Sequence, residues 1–339
     1  MLDIFNNSAF TVTSLTDTIN QVKFQPGFLG SLGLFRSSGV STLSIGIEEK
    51  GGLLSLVAPT PRGGVGVPID KRKRTMRNLT IPHFEIPGAV YADEVQGVRA
   101  YGSETELETV MGKVAEHIGD TMPFFDATTE YSQIGAAKGI VTYADGTTLN
   151  LFTEFGVTQP AEVAWDIVNT VGGAMRKRCA TLYRQVAGIL DGLTFSDILV
   201  LCSDQFYDDL ISNTEIRSTY LQQQEANVLR TGYVNNGQTG SFGSFRFGDI
   251  TFVNYRGQVG ATKFVADDKA HVIPLGVQNL FRTYWAPADY TETVNTVGKR
   301  LYAKQWEMDN GKGINFDFQM NELNICTRPA VLIPLRRGV

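Results

Sequence analysis

The chain has 339 residues, 42% of them hydrophobic and 19% charged, with a formal net charge of −5. This content supports a buried core and excludes wholesale disorder; the mildly acidic balance argues against a dedicated nucleic-acid binder, which carries a basic surplus. Sparse charge fits either an ordinary polar-poor globular protein or a subunit whose uncharged surface meets other subunits.

Cys179, Cys202 and Cys326 lie far apart. Such an odd, sparse set suits reduced thiols in a cytoplasm rather than a disulfide framework. No run reaches the roughly 18 apolar residues of a membrane span. The opening MLDIFNNSAF lacks the basic-then-apolar form of a signal peptide.

Residues 1–40 read as an arm. Ser14 can cap a short helix to Asn20, and Pro26-Gly27 with Gly30, Gly33 and Gly39 interrupt the rest of the arm. Phe24, Phe28, Leu29, Leu32, Leu34 and Phe35 recur without clean period, so the arm is expected to lie on another surface. From Ser41 to Pro87 two strand-like stretches flank a glycine- and proline-rich end that carries Lys71-Arg72-Lys73-Arg74, with Arg77 close behind. This is an extended hairpin whose second strand is expected over Asn78–Glu85. An isolated two-stranded ribbon is marginal in water, so a neighbouring surface has to support it.

Ser103-Glu104-Thr105-Glu106 is a capping box. Leu107, Val110, Met111, Val114, Ala115 and Ile118 continue it as one helical stripe, with Glu104, Glu106 and Glu108 near the positive end of the helix. Pro123 is expected to kink or split this helix, and Gly139 to end its second piece, Asp126–Lys138. Asp145-Gly146 then turns a tight hairpin between Ile140–Ala144 and Thr147–Phe152. A further helix is expected from Pro160, with Val163, Ala164, Ile167, Val168 and Val171 on one face, weakened at Gly172-Gly173 and resumed over Met175–Leu190. Ile198–Cys202 reads as a strand buried on both faces, Asp204–Ser212 as a short helix, Gly232–Gly243 as a loop, and Phe245–Val253 as strand. His271–Gly276 reads as a strand edge, and Ile325–Pro334 as holding a last buried strand.

A catalytic site does not emerge. His83, His117 and His271 are scattered, and there is no His-x-x-x-His, Cys-x-x-Cys, nucleophile elbow or phosphate-binding Gly-Lys-Ser/Thr. Asp208-Asp209 and Asp267-Asp268 are adjacent pairs, which read as solvated faces. No catalytic, cofactor or metal residues are therefore assigned. The Lys71–Arg74 run is open to three readings: a solvated loop, a nucleic-acid contact, or a charged contact with another subunit's acidic surface.

Several motifs, in order, carry a family resemblance. Thr128–Gly156 (TTEYSQIGAAKGIVTYADGTTLNLFTEFG) passes from helix to glycine to hairpin. After it come Leu201–Tyr207 (LCSDQFY), Pro274-Leu275-Gly276, Tyr284–Asp289 (YWAPAD) and Lys304–Glu307 (KQWE). Over roughly Phe24–Pro334 the chain resembles the lambda-like phage major capsid proteins, the major capsid protein E family. The resemblance implies an α+β, Hong Kong-97-type fold divided into an N-terminal arm (1–40), an extended loop (41–90), a peripheral domain with a long spine helix (91–157 and about 293–320) and an axial domain (158–292 and 321–339). It implies hexamers and pentamers in an icosahedral shell around double-stranded DNA, located in the virion and assembled in the host bacterial cytoplasm. It also implies a portal, a possible decoration protein and, because the spine helix begins near residue 103, a separate scaffolding protein. On that fold the expected contact between subunits joins Lys71, Arg72, Lys73, Arg74 and Arg77 to a neighbour's Glu104, Glu106 and Glu108. A cellular nanocompartment shell on the same fold and a monomeric enzyme are the alternatives.

Overall fold

The computed structural model describes residues 27–50, 74–95, 110–168, 172–222, 243–259 and 261–338. The arm contributes α1 (Phe28–Ser31) and β1 (Arg36–Gly39), and the ribbon β2 (Ser44–Lys50) and β3 (Arg74–Thr80). Next come β4 (His83–Tyr91), α2 (Ala92–Val95), α3 (Val110–Lys138), β5 (Ile140–Thr142), β6 (Thr148–Asn150) and α4 (Leu151–Phe155). The middle of the chain supplies β7 (Val163–Ala164), α5 (Ala174–Leu190), β8 (Asp197–Cys202), α6 (Asp204–Ser212) and α7 (Thr214–Gln222). Strands then dominate: β9 (Ser244–Phe247), β10 (Ile250–Asn254), β11 (Gln258–Val259), β12 (Thr262–Lys263), β13 (Lys269–Leu275), β14 (Phe281–Trp285), β15 (Tyr302–Glu307), β16 (Gly313–Cys326) and β17 (Pro334–Arg336).

Two sheets organise these elements. The first is built on β16, whose 14 residues give it length for three neighbours. Gly313–Asn321 pairs with β4, Ile314–Gln319 with β15, and Glu322–Cys326 with β14. Its side chains alternate, as a strand requires. Ile314, Phe316, Phe318 and Met320 pack with Val114, Ile118, Met122 and Phe125 of α3, four residues one helical stripe apart. The opposite face, Asn315, Asp317, Gln319 and Asn321, is polar and is covered near Pro287–Tyr290. There Asp317 accepts from the Tyr290 hydroxyl at 2.8 Å and Gln319 from the Asp289 N–H at 2.9 Å. The second sheet runs β7-β17-β13-β8-β10-β9. Its centre, β8, is apolar on both faces as its sequence predicts, and it sits between antiparallel β13 and parallel β10. One large core extends from this sheet through α5 and α6 to the C-terminal half of α3, the β5–β6 hairpin, and Phe28, Leu29, Ile45 and Leu79 of the arm and ribbon.

Several expectations change. Helix α3 is continuous for 29 residues with Pro123 inside it. Met122 and Phe125 are both buried, so packing on either side of the proline outweighs the roughly 3 kcal/mol of its missing hydrogen bond and ring clash. The capping box at Ser103 lies outside the described residues, as do the Ser14–Asn20 helix and most of the Gly232–Gly243 loop. The helix expected from Pro160 does not form. Val163 and Ala164 instead add a parallel strand to β17, and the N–H groups of Trp165 and Ile167 donate to Arg336 and Arg337 carbonyls. Trp165 drives this: it is buried between Phe206 and Phe252, at 5.9 and 5.7 Å, and a helix there would remove it from the core.

The remaining differences are in strand boundaries. The second ribbon strand is Arg74–Thr80 rather than Asn78–Glu85, because His83–Tyr91 pairs with β16. Phe245–Val253 folds back on itself at Gly248-Asp249, whose φ values of 57° and 61° make the left-handed pair of a two-residue hairpin. The β5–β6 turn is one residue wider than Asp145-Gly146, with Ala144 included, and Leu151-Phe152 already belongs to α4. His271–Leu275 lies inside its sheet rather than at an edge. The C-terminal stretch divides between the end of β16 and β17, with Leu332 and Ile333 buried between them.

Candidate assembly surfaces

The ribbon leaves the body with one face packed and the other exposed. Ile45 opposes Leu79 and Ile47 opposes Arg77 across the ladder. Ile45 and Leu79 are buried in the main core, whereas Leu43 and Met76 at the same base are 67% and 68% exposed. Arg77 is the polar anchor. Its Nη1 donates to the Glu154 carbonyl at the end of α4, where helical carbonyls lack partners and a cation is favoured. The space for it exists because residue 156 is glycine: Gly156 ends α4 in the left-handed region at φ 60°, and a Cβ there would stand 2.9 Å from Nη2 of Arg77.

Of the cations expected to meet a neighbour, Arg77 is half-buried and donates to a carbonyl of its own subunit. Arg74 begins β3 opposite Lys50. Lys71, Arg72, Lys73, Glu104, Glu106 and Glu108 lie outside the described residues.

The described part of the arm lies on the body of its own chain. β1 runs parallel to β14, and α1 docks on α3 through Glu130. That carboxylate accepts from the Leu29 N–H at 3.1 Å and from the Tyr255 hydroxyl at 3.0 Å. One side chain of the long helix thus ties the arm to the loop after β10. Burial raises the Glu130 pKa, and these hydrogen bonds oppose the rise. A second buried carboxylate, Glu322 of β16, accepts from Trp285 Nε1 at 3.0 Å and Asn324 Nδ2 at 2.7 Å. Its pKa is likewise raised by burial.

Helix α3 ends at Gly139, whose φ of 86° is left-handed and whose missing Cβ makes room for the Phe152 ring, 2.4 Å from where it would stand. Helix α4, directly after the hairpin, is therefore held against the end of α3 by close packing. Phe124 on α3, Val294 and Val297 before β15, and Trp306 on β15 remain 46–66% exposed.

The histidines sit apart: His83 on β4 bonds Asn321 at 2.7 Å, His117 on α3 packs on Phe316, and His271 is in β13. Among the described residues no three ligating side chains gather around one point. The three cysteines are buried and free, and burial raises all three thiol pKa values, those of Cys179 and Cys326 to about 12. None is poised as a nucleophile. One feature that motif reasoning passed over is α5, whose Arg176, Lys177, Arg178 and Arg184 face no acid on the same helix. The run MRKRCATLYR carried that signal.

A family model described as "Phage major capsid protein E" matches residues 11–336. A curated relative, the "Major capsid protein" of Pseudomonas phage KPP10, is 26% identical over 341 residues and covers 96% of each chain. The "Major capsid protein" of Salmonella phage Felix O1 is 26% identical over 365 residues, covering 99% of this chain and 98% of its own. Among solved structures, the putative capsid protein of an E. coli CFT073 prophage superposes with a TM-score of 0.59 at 15% identity over 96% of this chain and 98% of its own. The capsid asymmetric unit of Cyanophage A-1(L) gives 0.51 at 13% identity over 94% of each chain.

Proposed function

The chain belongs to the phage major capsid protein E family, and from that membership we propose how its structure serves a shell. It is a major capsid protein with the Hong Kong-97-type α+β fold, the self-assembling subunit of a phage head. The nanocompartment alternative has no better support.

The domain roles derive from the two sheets. The six-stranded sheet with α5 and α6 corresponds to the axial domain, through which subunits gather around local symmetry axes. The β16 sheet with α3 corresponds to the peripheral domain. Pairing of β4 with β16 favours starting that domain near His83 rather than residue 91, and pairing of β14 with β16 favours including residues 281–292 and 321–326 in it. The extended loop is then residues 41–82. The observation that supports the assembly role most directly is the ribbon, with a buried base and exposed Leu43 and Met76. Its surroundings in a closed shell would cover the surface that the isolated subunit leaves in water.

At the ribbon tip we place the contact between subunits: Lys71, Arg72, Lys73 and Arg74 against a neighbour's Glu104, Glu106 and Glu108, opposite charges that steer and register assembly. Arg77 belongs to the ribbon base instead. The subunit encloses DNA without sequence-specific binding, acts in the virion after assembly in the host cytoplasm, and works with a scaffolding protein and a portal, with room for a decoration protein. It carries no enzymatic role. The deciding experiment is expression of the chain with and without a scaffolding partner, read by negative-stain electron microscopy. Uniform shells support the reading, and shells absent under both conditions refute it. Within it, Arg72→Glu with Arg74→Glu should abolish shells and leave folded subunits; normal shells from that variant would refute the tip contact.

A further inference from the structure

We propose that the cleft between α5 and β7 is a docking site for an acidic peptide segment with apolar anchor residues, carried by a partner protein. The cleft has a volume of about 350 Å³ and is lined by Val163, Trp165, Ala174, Lys177, Arg178, Thr181, Leu182 and Gln185. The six α5 residues in this set have the spacing i, i+3, i+4, i+7, i+8, i+11, so a single helix face forms one wall. Val163 of β7 and Trp165, just past the strand's end, form the other.

The two walls differ in chemistry by height. Trp165 and Leu182 are buried at the floor, with Val163 and Ala174 half-buried beside them. Lys177, Thr181 and Gln185 stand exposed at the rim, with Arg184 one turn beyond Thr181. Arg178 closes one end. It donates to the Trp165 and Asp166 carbonyls and pairs with the Asp166 carboxylate at 3.6 Å, fastening the helix to the strand. The acids nearby are already engaged. Glu162 holds Lys269 at 2.5 Å, and Glu215 accepts from the N–H groups of Met175 and Arg176 at 2.9 and 3.2 Å. Lys177 and Arg184 have no ion-pair partner among the described residues. A helix with four cations and no acid, in a chain of net charge −5, therefore presents uncompensated positive charge above an apolar floor.

That combination selects the occupant. A phosphate backbone would satisfy the rim cations but leave the Trp165–Leu182 floor empty. An apolar peptide would fill the floor but leave the cations unmatched. A segment that alternates apolar and acidic side chains places one set down and the other up. β7 is moreover the outermost strand of its sheet, so its far edge offers backbone groups for pairing with an extended peptide. Such a segment would dock on the free subunit, so binding is measurable whether or not shells form.

The test is fluorescence anisotropy on the full-length unassembled subunit, with a short fluorescein-labelled peptide in which leucine alternates with glutamate. Saturable binding is expected. It should weaken by about tenfold or more in Lys177→Glu/Arg184→Glu, since each reversal replaces attraction with repulsion. It should be lost in Thr181→Trp, which fills the cleft without changing charge, and lost again when serines replace the leucines. Gln185→Trp is a second filling variant should the first fail to fold; thermal melts matching the parent show that a variant is intact. Absence of peptide binding overturns the proposal. So does binding that survives both filling variants, or a DNA duplex that competes equally and ignores Thr181→Trp, since the patch would then be reading phosphate charge alone.

Discussion

Replacing Arg77 with alanine should loosen the ribbon without unfolding the subunit. The side chain makes a charge-assisted hydrogen bond to the Glu154 carbonyl, a type worth about 1.5–3 kcal/mol. Its position at the end of a helix adds a few tenths of a kcal/mol at most, because α4 has only five residues. Half-burial discounts the sum through solvent screening, leaving about 2 kcal/mol, or roughly a thirtyfold rise in the local opening equilibrium. The loss should be confined to the ribbon base, since Ile45 and Leu79 still hold the two strands to the core. Hydrogen exchange monitored by mass spectrometry is the assay: amides of Ser44–Lys50 and Arg74–Thr80 should exchange roughly thirtyfold faster, with β8 and β13 unchanged. Arg77→Lys should recover only part of the protection, because an ammonium lacks the planar fork that reaches over Gly156. If ribbon exchange in Arg77→Ala matches the parent, the anchor is not holding the ribbon and the account of its base is wrong.

Two further perturbations probe the body of the subunit. Burial raises the Glu130 carboxyl above its ordinary 4.5, so the folded state holds a proton that the unfolded state has released. This contribution is full below about pH 4.5 and is lost as pH rises through the folded value. Glu130→Gln keeps an acceptor for Leu29 and Tyr255, which share Oε1. Removing the titrating group should flatten the decline with pH, while the new amide meets the Phe28 and Gly30 backbone N–H groups that the carboxylate also accepts from, so the variant should lose on the order of 1 kcal/mol, checked by urea midpoints across pH 4–8. Glu322→Gln should destabilise as well, because its two oxygens serve two donors and an amide would turn a donor toward one of them. Pro123→Ala restores an N–H at an exposed position inside α3. It should stabilise by about 1–2 kcal/mol after the unfolded chain regains freedom; a calorimetric Tm unchanged or lowered would show that the proline sets a bend the packing needs.

Elements whose signals are local were legible in the sequence. Helix α6 begins where Ser203 caps it, its Oγ accepting from the Phe206 N–H at 3.4 Å, and Ile198–Cys202 of β8 is a continuous apolar run because both faces of the sheet are buried there. The hairpin turn and the glycine stop after Lys138 reflect backbone conformations that few residues adopt. The ordered motifs carried the family. Two failures share one physical cause, a partner supplied from far along the chain. Val163, Ala164 and Ile167 are spaced for a helix face, yet their segment joins β17, which lies at the other end of the sequence. His83–Glu85 reads as a continuation of the ribbon until β16 arrives beside it.

Charge shows the same limit most sharply. Arg77 and Lys177 both stand in or beside runs of cations, and nothing local in the sequence separates them. The fold brings a carbonyl to Arg77 from 77 residues away and draws it inward, whereas the segment opposite Lys177 supplies an apolar wall and no carboxylate for it. An anchored cation holds its own subunit together, and an unanswered one is open to a partner. Which of the two a basic run becomes is settled by what the tertiary structure places against it, and on α5, read from sequence only as a helix resumed over Met175–Leu190, it leaves Lys177 without an acid among the described residues.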